Sequence, residues 1–335
     1  MEQDLIFIDK KKISPKYRQI VDSIVTSISK GALKIGDIIP SLNQIKDEFS
    51  LSRDTVLTAY KELQTKGIIE SLPGKGYYVA STQIKIKYKV FLLFDELNAY
   101  KEKLYRSFIS QLKEEAIVDI YFHHFNINVF KTLIKENINN YNTFVIMPVF
   151  FTGIDSILKN INPGRIYLLD HWCDELNDYP GIFQNFEKDT FNALNGIANK
   201  TNKYKNMTLV EPENGLMPKG IMIGFEKSCK KIKMRHRVAT ISKIKEIKKG
   251  DSFLILDDND LIEMIRKLNT SGLEIGNEVG IISYNDTPFK EVVHKGITTI
   301  STDFEGMGKG LANMIRHKEN RMVENSFLIH DRQSY

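Results

Sequence analysis

Two groups of residues have the types and spacing to do chemistry. The first is Ser52-Arg53-Asp54-Thr55, two hydroxyls and a guanidinium at the start of an amphipathic stretch. A helix N-terminus offers free N–H groups and a positive dipole end, so this array suits phosphate. The Arg53 fork also matches guanine O6/N7. Lys75, between Gly74 and Gly76, adds a cation on pliant backbone, as a hairpin tip in a minor groove requires. The second group follows two apolar runs: Asp257-Asp258-Asn259-Asp260 after residues 252–256, and Tyr284-Asn285-Asp286 after residues 279–283. Amides and carboxylates at neighbouring strand ends suit hydroxyl-rich ligands, and open α/β sheets bind ligands at that edge. The plain alternatives are an ordinary three-helix bundle with a hairpin, and Asp or Asn capping a turn.

These groups need elements to hold them. Residues 16–30 place Ile20, Ile24, Val25 and Ile28 at helical spacing, and Gly31 and Gly36 end the run. Pro40-Ser41 opens a second helix, with Ser41 as cap and Leu42, Ile45 and Phe49 as its apolar stripe. After the break Ser50-Leu51-Ser52, a third helix capped by Ser52 runs to about Lys66 and buries Val56, Leu57, Tyr60 and Leu63. Residues 68–70 and 77–79 are expected to pair as strands through Pro73-Gly74-Lys75-Gly76. Two helices across a short break, the second leading with donors, form a helix-turn-helix.

Residues 81–89 form a polar, basic connector whose alternation would also suit an edge strand. The expected domains are therefore 1–80, a linker at 81–89, and 90–335. Beyond 90, apolar runs at 90–94, 117–122, 144–147, 166–169, 207–210, 238–241, 253–256 and 279–283 alternate with helical segments. Buried parallel strands read this way, and eight or more of them imply two doubly wound lobes.

Composition sets the outer bounds. The 335 residues are 42% hydrophobic and 27% charged, ordinary for a soluble globular chain. No window approaches 18 uninterrupted apolar residues, and the acidic start lacks a secretory h-region, so a cytoplasmic protein with no membrane partner is expected. Cys173 and Cys229 lie far apart and in no metal-ligand spacing, so neither disulfide, metal nor cofactor is expected. The net charge is +5, and residues 1–89 hold all of the excess, with 15 Lys and Arg against 10 Asp and Glu. A phosphate-binding surface needs that bias.

Some signals are set aside. Gly306-Met307-Gly308-Lys309-Gly310 lacks Walker spacing and reads as a helix start packed closely against a sheet. His123 and His124, adjacent on a strand, point to opposite faces. Arg235-His236-Arg237 reads as solvated surface. No Ser/His/Asp or Cys/His constellation stands out, so a non-enzyme is expected. The rival is an enzyme-derived α/β domain acting on a sugar or nucleotide, tethered to a DNA-binding module.

The string Tyr17-Arg18-Gln19-Ile20, Gly31 to Gly36-Asp37, Ile39-Pro40-Ser41, Leu51-Ser52-Arg53-Asp54-Thr55-Val56, Leu63 to Gly67-Ile68-Ile69 and Gly74-Lys75-Gly76-Tyr77-Tyr78-Val79 closely resembles the GntR family of winged-helix repressors, over residues 14–80. The resemblance implies homodimers on pseudo-palindromic operators. Bases would be met by Ser52, Arg53 and Thr55 and by the wing-tip Gly76, within an interface that takes in Tyr17, Arg18, Ser41, Asn43, Gly74 and Lys75. Asn43 stands where the family often has Arg, and Leu57 where some members have a second one, so the operator should depart from the usual one.

Residues 90–335 resemble, more loosely, the effector domain of LacI-type repressors and periplasmic sugar-binding proteins, best over 252–315 and with landmarks at Asn98-Ala99-Tyr100, Tyr167 to Asp170 and Gln184-Asn185. The implied architecture is a winged helix-turn-helix followed by a two-lobed α/β domain of the type I periplasmic-binding-protein kind. Tyr100 would wall the ligand, Asp257 and Asn285 would bond its hydroxyls, and Asp170, His171, Trp172 and Asn185 would line the cleft. The family's sugar-binding Arg falls on Ile221, with Lys219 nearby, and Asn285 stands where Asp is usual. The implied function is a repressor of carbohydrate-utilisation genes, released from its operator by a sugar-like effector.

Overall fold

The structure, a computed structural model, describes residues 5–9, 14–82, 87–149, 151, 153–198 and 203–335. The chain forms two compact units, Met1–Tyr88 with Glu114–Ile117, and Lys89–Lys113 with Val118–Tyr335. Of the expected connector 81–89, residues 83–86 lie outside the described residues.

In the first unit, helices α1 (Lys16–Ser29), α2 (Leu42–Phe49) and α3 (Arg53–Thr65) surround a core of Ile20, Ile24, Ile45, Val56, Tyr60 and Leu63. The expected caps form. Ser41 Oγ accepts the Gln44 N–H at 3.2 Å while Gln44 Oε1 accepts the Ser41 N–H at 2.7 Å, a reciprocal capping box. The Tyr60 hydroxyl donates to the Pro40 carbonyl, tying α3 to the entry of α2. Strands β2 (Ile69–Leu72) and β3 (Gly76–Val79) pair antiparallel, Ile69 opposite Val79. A third strand, β1 (Ile38–Ile39), adds to β3. It escaped sequence reading because two residues carry no periodicity.

The second unit holds two six-stranded sheets. The first has the order β14-β8-β7-β6-β4-β5, from Met322–Glu324, Gly181–Phe183, Ile166–Asp170, Thr143–Ile146, Tyr88–Phe94 and Ala116–Phe122. The second has the order β10-β9-β11-β12-β13-β15, from Arg235–Ala239, Asn206–Val210, Asp251–Ile255, Gly280–Tyr284, Thr298–Thr302 and Phe327–His330. In this second sheet neighbours run parallel except β13 and β15. The expected strand at 238–241 ends early, because Ile241 turns into a 3-10 segment.

The chain passes between the sheets three times: after β8 into helix α7 (Phe186–Gly196), after β13 into α11 (Phe304–His317), and from β14 into β15. Asn325 joins the three passages. Its N–H donates to the Phe183 carbonyl at 2.8 Å, and its Nδ2 lies 3.0 Å from both Thr302 Oγ1 and the Asp303 carbonyl.

Three features set aside above take definite places. The glycines at 306–310 lie in α11, but Gly308 faces helix α4 (Ala99–Leu112) rather than the sheet, since a Cβ there would overlap the Leu104 carbonyl oxygen. Gly310 meets the sheet, at Ile182 of β8. His123 is buried with Nε2 3.2 Å from the Met147 carbonyl, and His124 leaves the strand at φ 48°. Arg235-His236-Arg237 lies on the edge strand β10 with both arginines exposed, and Arg237 Nε donates to Thr208 Oγ1 at 3.2 Å. Among the described residues, no helix is long and apolar enough to cross a membrane.

Asp189 and Asp260 sit in the first turns of α7 and of α9 (Asp258–Ser271) and are buried. Burial, reinforced by neighbouring carboxylates, pushes each up to about 6. Asp260 Oδ2 has no hydrogen-bond partner. A carboxyl whose folded pKa exceeds its unfolded one favours the fold while protonated, so this contribution is lost as pH rises from about 4 through about 6. Asp260→Asn should therefore raise the melting temperature at about pH 8, by the equivalent of about 1–3 kcal/mol, and much less at about pH 4.5. Gly308→Ala should lower it at every pH, costing about 1–3 kcal/mol through the forced separation of α4 and α11. Thermal melts across a pH series check both.

Candidate DNA interface and effector cleft

The first-turn donors of α3 are assembled as expected. Ser52 Oγ accepts the Thr55 N–H at 3.2 Å and lies 2.8 Å from Thr55 Oγ1, so both hydroxyls also serve the cap. Arg53 stands exposed on this turn. At the hairpin tip, Gly74 and Gly76 take φ 79° and 90°, left-handed conformations that favour glycine. The Lys75 N–H closes the turn on the Leu72 carbonyl at 3.0 Å, and its side chain is exposed. Asn43 is exposed on α2, whereas Tyr17 packs half-buried on the core. Arg18 is drawn to α3 by Glu62 at 3.0 Å, a carboxylate it shares with Lys66 at 2.7 Å.

In the second unit, polar groups gather at the carboxyl ends of the strands. In the first sheet, Asp95 follows β4 and forms a buried ion pair with Lys101 of α4. Asp170 ends β7 at φ 72° and accepts a hydrogen bond from Gln184 Nε2. His171 Nε2 lies 3.6 Å from Asp170 Oδ2, and its ring is 5.0 Å from that of Phe186. Burial pulls the imidazole below its ordinary pKa, against the pull of Asp170. Tyr100 stacks on Phe304 at 4.7 Å. Burial, and then the charges of Asp95, Asp170, Glu96 and Asp258, hold its phenol well above the usual range.

In the second sheet, Lys290 organises the edge. It lies on the short helix α10 (Pro288–Val292) and is fully buried. Its Nζ donates to the Tyr284 carbonyl at 2.8 Å, the Asn285 carbonyl at 2.7 Å and Asp258 at 2.8 Å. Burial lowers its pKa and Asp258 opposes that shift. These bonds hold Asn285 at φ 60°, a conformation Asn tolerates better than most residues. Next to it, Arg332 grips Asp286 with both nitrogens, at 2.7 and 3.1 Å. Burial alone would raise the Asp286 carboxyl, but the guanidinium holds it below the usual range.

The structure thus brings Tyr100, Asp170 and His171 together, and sets Asp257 and Asn285 at the ends of the adjacent strands β11 and β12. Two residues serve chiefly as caps. Asp257 accepts the N–H groups of Asn259 and Asp260 at 2.8 and 3.3 Å. Asn185 caps α7 through the Lys188 N–H at 3.2 Å and reaches Glu324 at 3.3 Å. Trp172 is 40% exposed and donates to Asn177 at 3.1 Å. Ile221 is buried in the core under α8 (Lys219–Lys231). Asp95, Lys101 and Lys290 were not among the residues singled out from sequence, and Gln184 was named only as a landmark of the resemblance. A lysine reads as surface by type, and nothing in the spacing reveals its buried partner. No group of three or more His, Cys, Asp or Glu among the described residues has metal-binding geometry.

Comparison with known proteins fits this geometry. Residues 16–79 match the profile of bacterial regulatory proteins, gntR family, and residues 213–328 that of a periplasmic binding protein-like domain. The mannosyl-D-glycerate transport/metabolism system repressor MngR of Escherichia coli is 35% identical over 106 residues, 32% of this chain and 42% of that protein. The chain therefore spans less than half of that relative. The HTH-type transcriptional repressor YtrA of Bacillus subtilis is 30% identical over 132 residues, 39% of this chain and 91% of that protein. Among solved structures, a LacI family transcriptional regulator from Silicibacter pomeroyi aligns with a TM-score of 0.62 at 13% identity, over 73% of this chain and 98% of that one. The trehalose repressor from Escherichia coli aligns with a TM-score of 0.61 at 13% identity, over 72% and 99%. At that identity the likeness speaks for the fold. With a reader unit matched to one regulator profile and a two-sheet unit matched to a ligand-binding one, the chain belongs to the GntR family of bacterial regulatory proteins, carrying a periplasmic-binding-protein-like domain.

Proposed function

We propose that this protein is a cytoplasmic, homodimeric repressor of carbohydrate-utilisation genes that leaves its operator when a sugar-like effector enters the second unit. The observation that carries the reading is the pairing of an exposed, cation-bearing first turn on α3 with a polar strand-end cluster in a periplasmic-binding-protein-like unit of the same chain. Names among the relatives and structural neighbours, such as an arabinose metabolism transcriptional repressor and a putative ribose operon repressor, support the sugar. Residues 1–80 are the reader, 81–89 the connector, and 90–335 the effector domain, which we read as a binding module and not an enzyme.

Arg53 is the principal base-reading group. Ser52 and Thr55 orient that turn and add donors, while Gly74, Lys75 and Gly76 form a wing tip whose cation meets phosphate. Tyr17, Arg18, Ser41 and Asn43 contribute backbone contacts, with Arg18 restrained by Glu62. In the second unit Tyr100, Asp170 and His171 form one wall and Asp257 and Asn285 the other, with Asn185 and Trp172 at the margin. Effector closes the two lobes about the passages joined by Asn325. That change alters the spacing of the paired readers on a pseudo-palindromic operator. Coupling of this kind amounts to about 1–3 kcal/mol, or roughly 5–150-fold in affinity.

Arg53→Ala should weaken operator binding by about 1–3 kcal/mol and reduce discrimination against mutated half-sites, with an unchanged melting temperature. Fluorescence anisotropy on a half-site panel reads this, and undiminished affinity would remove Arg53 from the interface. Wild-type protein should release operator about 5–150-fold more readily in the presence of its sugar. Equal operator affinity with and without a sugar shown to bind by calorimetry would overturn the release mechanism.

A further inference from the structure

The strand-end cluster of the second unit carries a charge pattern that selects among sugars. The three cations built into the interior of the described strand ends are already matched, and Lys219, which begins α8, is exposed. Lys101 is held by Asp95, Lys290 by Asp258 and two carbonyls, and Arg332 by Asp286. The guanidinium expected from the family pattern is absent, since Ile221 stands there and is buried. Burial shifts His171 below its ordinary pKa, toward the neutral imidazole. Carboxylates exceed cations: Asp170 and Asp257 are bonded by an amide and by N–H groups, not by a charged partner at ion-pair distance other than this imidazole.

The hydrogen-bonding capacity left over has the same sense. Gln184 is buried and its Oε1 has no partner. Its orientation is fixed, because its Nε2 faces the Asp170 carboxylate and a flipped amide would set oxygen against oxygen. Gln184 therefore offers an acceptor. The Asn285 amide oxygen is likewise buried without a partner, and the Thr287 hydroxyl two residues on, also without one, can accept or donate. Buried polar atoms left unpaired in a native fold call for a ligand or water to complete them. Acceptors beside carboxylates are completed by donors, which hydroxyl and ammonium groups supply. A carboxylate or phosphate brings only acceptors and a negative charge into a site whose interior cations, Lys101, Lys290 and Arg332, are already paired.

Resting on the sugar-effector reading above, we propose that the effector is a donor-rich sugar that is neutral or amine-bearing, and that uronates and sugar phosphates are rejected. The discrimination comes from unmatched acceptors and surplus carboxylates, and so depends on chemistry rather than on ring size.

The test uses full-length protein and matched sugars. Glucose, galactose, mannose and their pentose counterparts are titrated by calorimetry, and each hexose is also supplied as the amino sugar, the uronate and the 6-phosphate. In whichever series binds, the neutral or amino form is expected to bind at least about tenfold more tightly than the uronate or phosphate, the equivalent of about 1.4 kcal/mol. A uronate or phosphate that binds as well as its neutral parent overturns this inference and leaves the sugar reading standing. Uptake of no sugar in any series, by protein that still binds its operator, overturns the sugar reading and this inference with it.

Discussion

The second unit depends on neutralising charge where it is buried. Lys101 with Asp95 and Arg332 with Asp286 stand at strand ends where water is largely excluded, and the buried Lys290 meets a half-exposed Asp258. An ion pair removed from water is maintained only when its remaining hydrogen-bonding sites are filled, because desolvation opposes the Coulomb attraction. Lys290 meets that condition through two backbone carbonyls as well as Asp258. Those bonds fix the backbone on which Asn285 stands, so the pair shapes the strand-end cluster.

The same logic runs through the passages between the sheets. Three chain crossings need their backbone groups satisfied away from any sheet ladder. Asn325 supplies that by donating to two segments distant from it in sequence, at Phe183 and at Thr302-Asp303. On the neighbouring face α11 approaches α4 closely because Gly308 lacks a side chain, and Ser107 Oγ donates to the Glu305 carbonyl at 2.7 Å across the contact. In the proposed release mechanism a lobe packed this firmly moves as a body, which leaves the passages as the place where closure would act.

The reader unit rests on different physics. Its core is small and apolar, and its helices are placed by local caps at Ser41 and Ser52 and by the Tyr60 tie to Pro40. Local devices of this kind are legible residue by residue. The helix boundaries, both caps and the hairpin were accordingly all readable, while the two-residue strand β1 was not. In the second unit, apolar runs announced the parallel strands, since strands covered on both faces must be hydrophobic throughout. The roles of Asp257 and Asn185 as caps were stated in advance only as the plain alternative, and the cap geometry is what the structure displays.

What the sequence determined by itself was whatever depends on neighbours along the chain: helical periodicity, N-caps, turn glycines, the concentration of positive charge in the first 89 residues, and the polar residues that end β11 and β12. Tertiary structure alone decided which charges meet. Asp258 and Lys290 are 32 residues apart, and Asp286 and Arg332 are 46 apart, so no local period links either pair. Their pairing follows from strand order, which long-range packing sets. With it comes the sign of the charge left over for a ligand.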